Sequence, residues 1–341
     1  MNNKYDQFLT TSYQEIGSMP LHSHSNSHLR VAFQLGNTCT NDCSYCPGHT
    51  KNGSVPWPEI DKVEKIIKKI NEVYRNPPYN KTHIQFELSG GEVTVWPKIE
   101  RVLEILHEHN NSVHLVTNGV RSLRWWAEYG KYFEHLVISF HPEFASTEHT
   151  TEVLNILTDQ GVRADALIMM LPSHWDVCLS AIEYMKNHGT FNNIWTRALN
   201  LIKPGKHEQW PYTEQELNWI QNNTNFRPLN SKEVLIQDGP GDTGSFWRNS
   251  TSGEYKLVEF ESLAANRQNN WKNWQCYVGI DTLFLEQNGD VRRDAMCYVR
   301  PSLGNWKLDD IETIQWVTEP VRCPFDACFC SADSRARKIK N

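Results

Sequence analysis

Cys39, Cys43 and Cys46 follow one another at C-x3-C-x2-C spacing, directly after the apolar stretch 29–35. Three thiolates on one short loop can hold three irons of a [4Fe-4S] cluster and leave the fourth iron without a protein ligand, whereas four cysteines close the shell of an electron-transfer cluster. An open iron can bind a substrate. A second chemistry fits the same residues: with His49 the three cysteines make a Cys3His set, enough for tetrahedral zinc. Five more thiols, Cys276, Cys297, Cys323, Cys328 and Cys330, crowd toward the end of the chain. So dense a group again asks for a metal centre, with structural zinc as the plain alternative to a cluster.

Tyr45 stands just before the third cysteine, and the apolar run 84–88 leads into Ser89-Gly90-Gly91-Glu92. Gly-Gly-Glu alone is an ordinary turn. Joined to the triplet in this order, it resembles the radical S-adenosylmethionine (SAM) superfamily, whose signature is C-x3-C-x-aromatic-C followed by a Gly-Gly-Glu-like segment after the second strand. The resemblance implies that SAM chelates the open iron through its amino and carboxylate groups. It implies that Gly90 and Gly91 admit the methionine moiety because no Cβ intervenes, and that Glu92 or a nearby carbonyl accepts from the ammonium. Tyr45, Thr117 and Asn118 fall with the cofactor on this reading, and Ser139 and His141 at its ribose or the substrate pocket.

The C-terminal order Cys276, Gly279, Gly289, Cys297, Gly304-Asn305, Cys323-Pro324 and Cys328-x-Cys330 resembles the twitch domain, the shortened form of SPASM, which holds one auxiliary [4Fe-4S] cluster. Twitch members commonly finish with C-x2-C. Here the ending is C-x4-C-x-C, so either four ligands are chosen from five or three hold a cluster with an open iron. The implied enzyme cleaves SAM with one electron to a 5′-deoxyadenosyl radical that abstracts a substrate hydrogen, while the auxiliary cluster takes an electron or anchors the substrate. Implied partners are an electron donor such as flavodoxin or ferredoxin and a peptide or protein substrate. Dehydrogenation of a sugar, aminocyclitol or other small molecule is the alternative, and a zinc-stabilised binding protein the rival of another class. No residue is assigned as a catalytic acid or base.

These residues need a scaffold, and the chain reads as α/β. Short apolar runs alternate with amphipathic segments through about residue 200, the pattern of βα units on a parallel sheet. Strands are expected at 29–35, 84–88, 113–116, 136–140, 164–170 and 194–202. Helices are expected after Pro58 with Ile60, Val63, Ile66, Ile67, Ile70 and Val73 on one face, then with Ile99, Val102, Leu103 and Leu106, at 147–157, at 173–187, and from a Thr213/Glu216 capping box through residue 222. Six units are too few for a closed barrel of eight, so a partial (β/α)6 TIM-like barrel follows, with a small C-terminal α+β iron-sulfur domain. Cys39–Cys46, Gly90-Gly91-Glu92, Thr117-Asn118 and Ser139/His141 all fall at C-terminal strand ends, where such folds keep their chemistry.

The organisation expected is an N-terminal extension (1–28), the barrel (29–225), a turn-rich linker (226–265) in which 234–237 pairs with 255–260, and the cluster domain (266–341). Charge and composition narrow the function. A net charge of −6 argues against a broad nucleic-acid surface, and no run approaches the roughly 18–20 apolar residues of a membrane span. The polar N-terminus lacks a signal-peptide core, so the cytoplasm is the expected compartment. Among single residues, Cys178 shares a helical face with Ile182 and Met185 and reads as core. His22, His24 and His28, spaced His-x-His-x3-His, read as a solvated loop with metal binding as the lesser alternative, and Arg335–Lys338 as a solvated tail able to contact an anion. Arg197 could meet a carboxylate, and Trp125, Trp126, Trp247, Trp271 and Trp274 could wall a pocket.

Overall fold

The computed structural model describes residues 16–19, 27–203, 206–232, 234, 244–249, 255–259, 270–295, 297, 302–308, 310–326, 328 and 336–340. Six parallel strands in sequential order form the barrel wall: β2 (His28–Gln34), β3 (His83–Ser89), β4 (Ser112–Thr117), β5 (His135–Phe140), β6 (Arg163–Met169) and β7 (Asn193–Arg197). Between them run α1 (Ile60–Arg75), α2 (Ile99–Glu108), α3 (Leu123–Tyr129), α4 (Thr147–Asp159) and α5 (Trp175–His188). Strand periodicity explains the layering. Leu29, Val31 and Phe33 are fully buried and pack in one core with Val63, Ile66, Ile67 and Ile70 of α1, while the intervening Arg30 and Ala32 face the other way. Each such side chain removed from water contributes about 1.5–3 kcal/mol.

Capping agrees with sequence at several ends. Ser122 and Ser146 accept from the amides of Trp125 and His149, and Thr213 with Glu216 forms the expected box at the start of α6 (Glu214–Asn222). The expected strand 194–202 divides: β7 stops at Arg197, and β8 (Asn200–Lys203) pairs instead with β9 (Lys206–Gln209). Antiparallel β10 (Asn225–Phe226) finishes that edge beside β7.

The opposite edge is not where chain order puts it. β14 (Thr282–Leu285) pairs parallel with β2, Thr282 to Arg30 through Leu285 to Phe33, and carries β15 (Asp290–Arg292) and β16 (Gly304–Asn305) outward. The remaining C-terminal strands β13 (Gln275–Cys276), β17 (Val321–Arg322) and β18 (Lys338–Ile339) join the N-terminal β1 (Ile16–Met19) and the hairpin β11 (Gly244–Asn249)–β12 (Tyr255–Glu259) in a second sheet, ordered β12-β11-β1-β18-β13-β17. Strands of the C-terminal stretch therefore join both sheets, β14–β16 extending the barrel and β13, β17 and β18 pairing with those of the extension and linker, because strand pairing is set in space and not by rhythm along the chain. The hairpin partner of β12 is β11. Apart from Val234, the expected strand 234–237 lies outside the described residues, as do His22 and His24.

A buried ion triad rivets the C-terminal stretch to the barrel. Asp281 accepts from Lys81 Nζ at 2.8 Å and from Arg337 Nε at 2.7 Å and Nη2 at 2.9 Å. Ala336 is fully buried and Lys338 is 1% exposed, so this stretch is an interior strand and not a solvated tail. No helix among the described residues is long and apolar enough to cross a membrane.

Candidate active site at the barrel rim

The cysteine loop leaves the end of β2 and returns on itself at Gly53. Buried Asn37 staples it: its amide donates to the His49 carbonyl (2.8 Å), Asn52 Oδ1 (2.9 Å) and Ser54 Oγ (3.0 Å), and its Oδ1 accepts from the Val55 amide (2.8 Å). Lys51 Nζ adds a bond to the Cys43 carbonyl at 2.6 Å. Cys43 is buried, and that burial pushes its thiol up to about 11; Cys39 is raised for the same reason. Low-dielectric surroundings penalise a bare thiolate, so these groups favour a partner that stabilises the anion.

Three further strand ends grip this loop. The Gly91 amide donates to the Gly36 carbonyl (3.1 Å) and the Glu92 amide to the Thr38 carbonyl (2.8 Å). A Cβ on Gly90 would lie 2.6 Å from Gly36 O, and one on Gly91 2.3 Å from Thr38 O. The glycines thus permit backbone to lie directly on backbone, a packing reason independent of any ligand. From β4, Asn118 Nδ2 donates to Thr40 Oγ1 at 3.2 Å. From β5, Glu143 accepts from the Ser44 amide at 2.9 Å, and Tyr45 Oη lies 2.6 Å from His141 Nδ1 with the rings stacked. Burial holds His141 down at about 4 and raises the Tyr45 hydroxyl far above the ordinary tyrosine range. Trp210 meets the Tyr45 ring edge-on.

Glu92 sits at the centre, 2% exposed. Its Oε1 accepts from the Thr94 amide and hydroxyl and from Thr117 Oγ1, and its Oε2 from the Asn118 amide. Two of these four bonds tie the end of β3 to the end of β4, the two from Thr94 fix the carboxylate locally, and together they use most of its acceptor capacity. Ser139 is 8% exposed at the end of β5. Sequence reasoning missed Asn37, Lys51 and Glu143. The His141-Pro142-Glu143 step straight after a strand was the available signal for the last, while Asn37 had none beyond lying two residues before Cys39.

Beneath the rim, the sheet face opposite the helices lines a cavity of about 160 Å³, with Ala32, Glu87, Ser89, His114, Val116, His135 and Val137 on its wall. Its floor is a polar network. Gln85 donates to Glu87 and meets His114, His114 meets Glu134 at 3.0 Å, and His135 meets Asp165 at 2.9 Å. Arg197 is exposed at the end of β7. The tryptophans do not wall this space. Trp125, Trp126, Trp271 and Trp274 are all at least nine-tenths buried in packing, and the side chain of Trp247 lies outside the described residues. Cys178 is fully buried with Ala181, Ile182 and Met185, as its helical face predicts, and burial raises its thiol to about 11.

A second thiol group forms on the small sheet. Cys276 pairs with Lys338 on one side and Val321 on the other, and the Cys323 amide bonds the Trp274 carbonyl. By alternation, Trp274, Cys276, Val321, Cys323 and Lys338 share one face. Cys297 and Cys328 pack against it, and Cys330 lies outside the described residues. Burial pushes the Cys276 thiol up to about 12. Among the described residues no three His, Cys, Asp or Glu side chains meet closely enough to grip a single ion, and His49 is exposed.

No curated protein matches the sequence significantly. The structure is similar to that of Streptococcus suis SuiB bound to S-adenosylmethionine, at 11% identity and a TM-score of 0.49, over 86% of this chain and 66% of that one. It is likewise similar to SuiB bound to precursor peptide SuiA, at 12% identity and a TM-score of 0.48, over 86% and 65%. This chain therefore spans just under two thirds of the length of SuiB. Residues 33–202, from the second half of β2 through β8, match the family model of the Radical SAM superfamily, and the chain belongs to that superfamily.

Proposed function

We propose that Cys39, Cys43 and Cys46 hold a [4Fe-4S] cluster that binds SAM, that four of Cys276, Cys297, Cys323, Cys328 and Cys330 hold a second, auxiliary cluster, and that the enzyme removes a hydrogen atom from a peptide or protein side chain. The carrying observation is the convergence at one rim: the triplet loop is bonded to Gly91-Glu92, Asn118, His141 and Glu143 from three successive strands. When bound, the cluster and SAM supply the one-electron cleavage and the oxidant for hydrogen abstraction. A flavodoxin or ferredoxin would deliver the electron.

The chain's own residues supply position and exclusion of water. Asn37 and Lys51 fix the loop; Glu92 fixes Thr117 and Asn118; Tyr45 joins the loop to His141 just past the end of β5. Thiols spread over a face suit a multi-atom centre better than one zinc ion. A cavity of about 160 Å³ accommodates one side chain, and Val116, Val120, Phe144 and Val177, exposed by 60%, 44%, 51% and 42%, offer apolar surface at the same end of the barrel for the flanking residues. One observation favours a second reading. The polar floor of Glu87, His114 and His135 suits a hydroxylated small molecule, which this enzyme would dehydrogenate.

Protein purified without oxygen should carry about eight irons per chain and release 5′-deoxyadenosine with SAM and dithionite. Cys43→Ala should abolish that release, whereas Cys297→Ala should keep it and lose product. Undiminished cleavage in Cys43→Ala, or a colourless zinc protein, would refute the proposal.

A further inference from the structure

Lys338 is an unusual neighbour for a group of thiols. It is 1% exposed, and its place in the antiparallel ladder directly opposite Cys276 fixes both side chains on the same face. Directly paired residues hold their Cβ atoms roughly 4.5–5.5 Å apart. The ladder continues with the Tyr277 amide on the Arg337 carbonyl, which sets Ala336 beside Val278 on that face and turns Arg337 to the other, where it meets Asp281. Alternation thus puts Arg337 on the face of Asp281 and Lys338 on the face of the thiols. The Lys338 ammonium also lies 5.7 Å from the centre of the Trp271 ring and 3.3 Å from the Ala336 carbonyl. Both are contacts an ammonium makes, the ring face by cation–π attraction and the carbonyl as a hydrogen-bond acceptor.

We infer that Lys338 is a built-in counter-charge to the C-terminal thiol group, making the centre held beside Cys276 and Cys323 easier to reduce. The inference rests on the auxiliary cluster proposed above. A cluster ligated by four thiolates carries net negative charge, and each added electron increases it. A fixed cation in a site shielded from water stabilises the reduced form more than the oxidised one, since Coulomb interactions are screened little there. A centre so biased is an electron acceptor, the role that net oxidation of a substrate requires.

The test uses the full chain with Cys39, Cys43 and Cys46 replaced by Ala, so that only the C-terminal cluster remains, titrated potentiometrically and followed by electron paramagnetic resonance. Lys338→Met should lower the equilibrium constant for one-electron reduction at least tenfold, a downward shift of about 59 mV. Lys338→Arg, which keeps the charge, should stay within about threefold of the parent. An unchanged potential in Lys338→Met with its iron intact overturns the inference, as does an equal shift in both variants, which would assign the effect to packing. Should Lys338→Met fail to retain iron, retention in Lys338→Arg supports the role of charge and loss in both overturns it. Absence of any cluster in the Lys338 parent overturns the auxiliary-cluster reading itself and this inference with it.

Discussion

Glu92 shows how a residue with a family-implied cofactor role can also serve as a structural junction. Its carboxylate is the acceptor for four donors from the β3 and β4 ends, and a buried donor left unmade costs about 1–3 kcal/mol. Glu92→Ala should therefore lower stability by on the order of 3 kcal/mol, read as a fall in the denaturation midpoint together with weaker SAM binding by calorimetry. An unchanged midpoint would mean that water replaces the carboxylate. Gly91→Ala tests the backbone contact more directly. Its new methyl would lie 2.3 Å from the Thr38 carbonyl, so the loop must shift, and iron should fall by about four per chain while the C-terminal cluster remains.

Among elements, the polar floor across β4–β6 gives stability a pH dependence. Burial opposes ionisation of Asp165 and Glu134, yet hydrogen bonds and charge from His135, Arg163 and Asn193 in one case, and from His114 in the other, outweigh it and leave both carboxyls below their ordinary values. A depressed folded value means stability is fully present above the unfolded-chain range of about 3.9–4.3 and is lost as pH falls through the folded values. Denaturation midpoints should thus fall steeply below that range, and less steeply in Asp165→Asn. The Asp281 triad is the corresponding device between barrel and C-terminal strands. With side-chain exposures of 1% for Lys81 and 3% for Asp281, Asp281→Ala strands the buried Lys81 cation and removes the carboxylate from Arg337, and should cost about 3–5 kcal/mol by chemical denaturation.

The molecule as a whole closes on itself: β14 extends the barrel sheet beyond β2, while β1 and β18 pair within the second sheet. Deleting residues 336–341 should accordingly remove the Asp281 clamp and the strand facing Cys276 together, lowering iron from about eight to about four per chain while 5′-deoxyadenosine release persists. Loss of both clusters would instead indicate that the sheets fold as one unit. By itself the sequence determined the six βα units, the capping box at Thr213, the core face of Cys178 and the gathering of four motifs at one rim, because each is written in local periodicity or at the end of a strand. Only the tertiary structure decided that residues 336–338 lead into an interior strand, that β14 joins β2, that Trp125, Trp126, Trp271 and Trp274 are packing, and that Asn37 and Glu143 hold the cysteine loop. Those outcomes depend on which distant segments pair, and a short strand or a lone polar residue carries no local mark of the partner it will find across the fold.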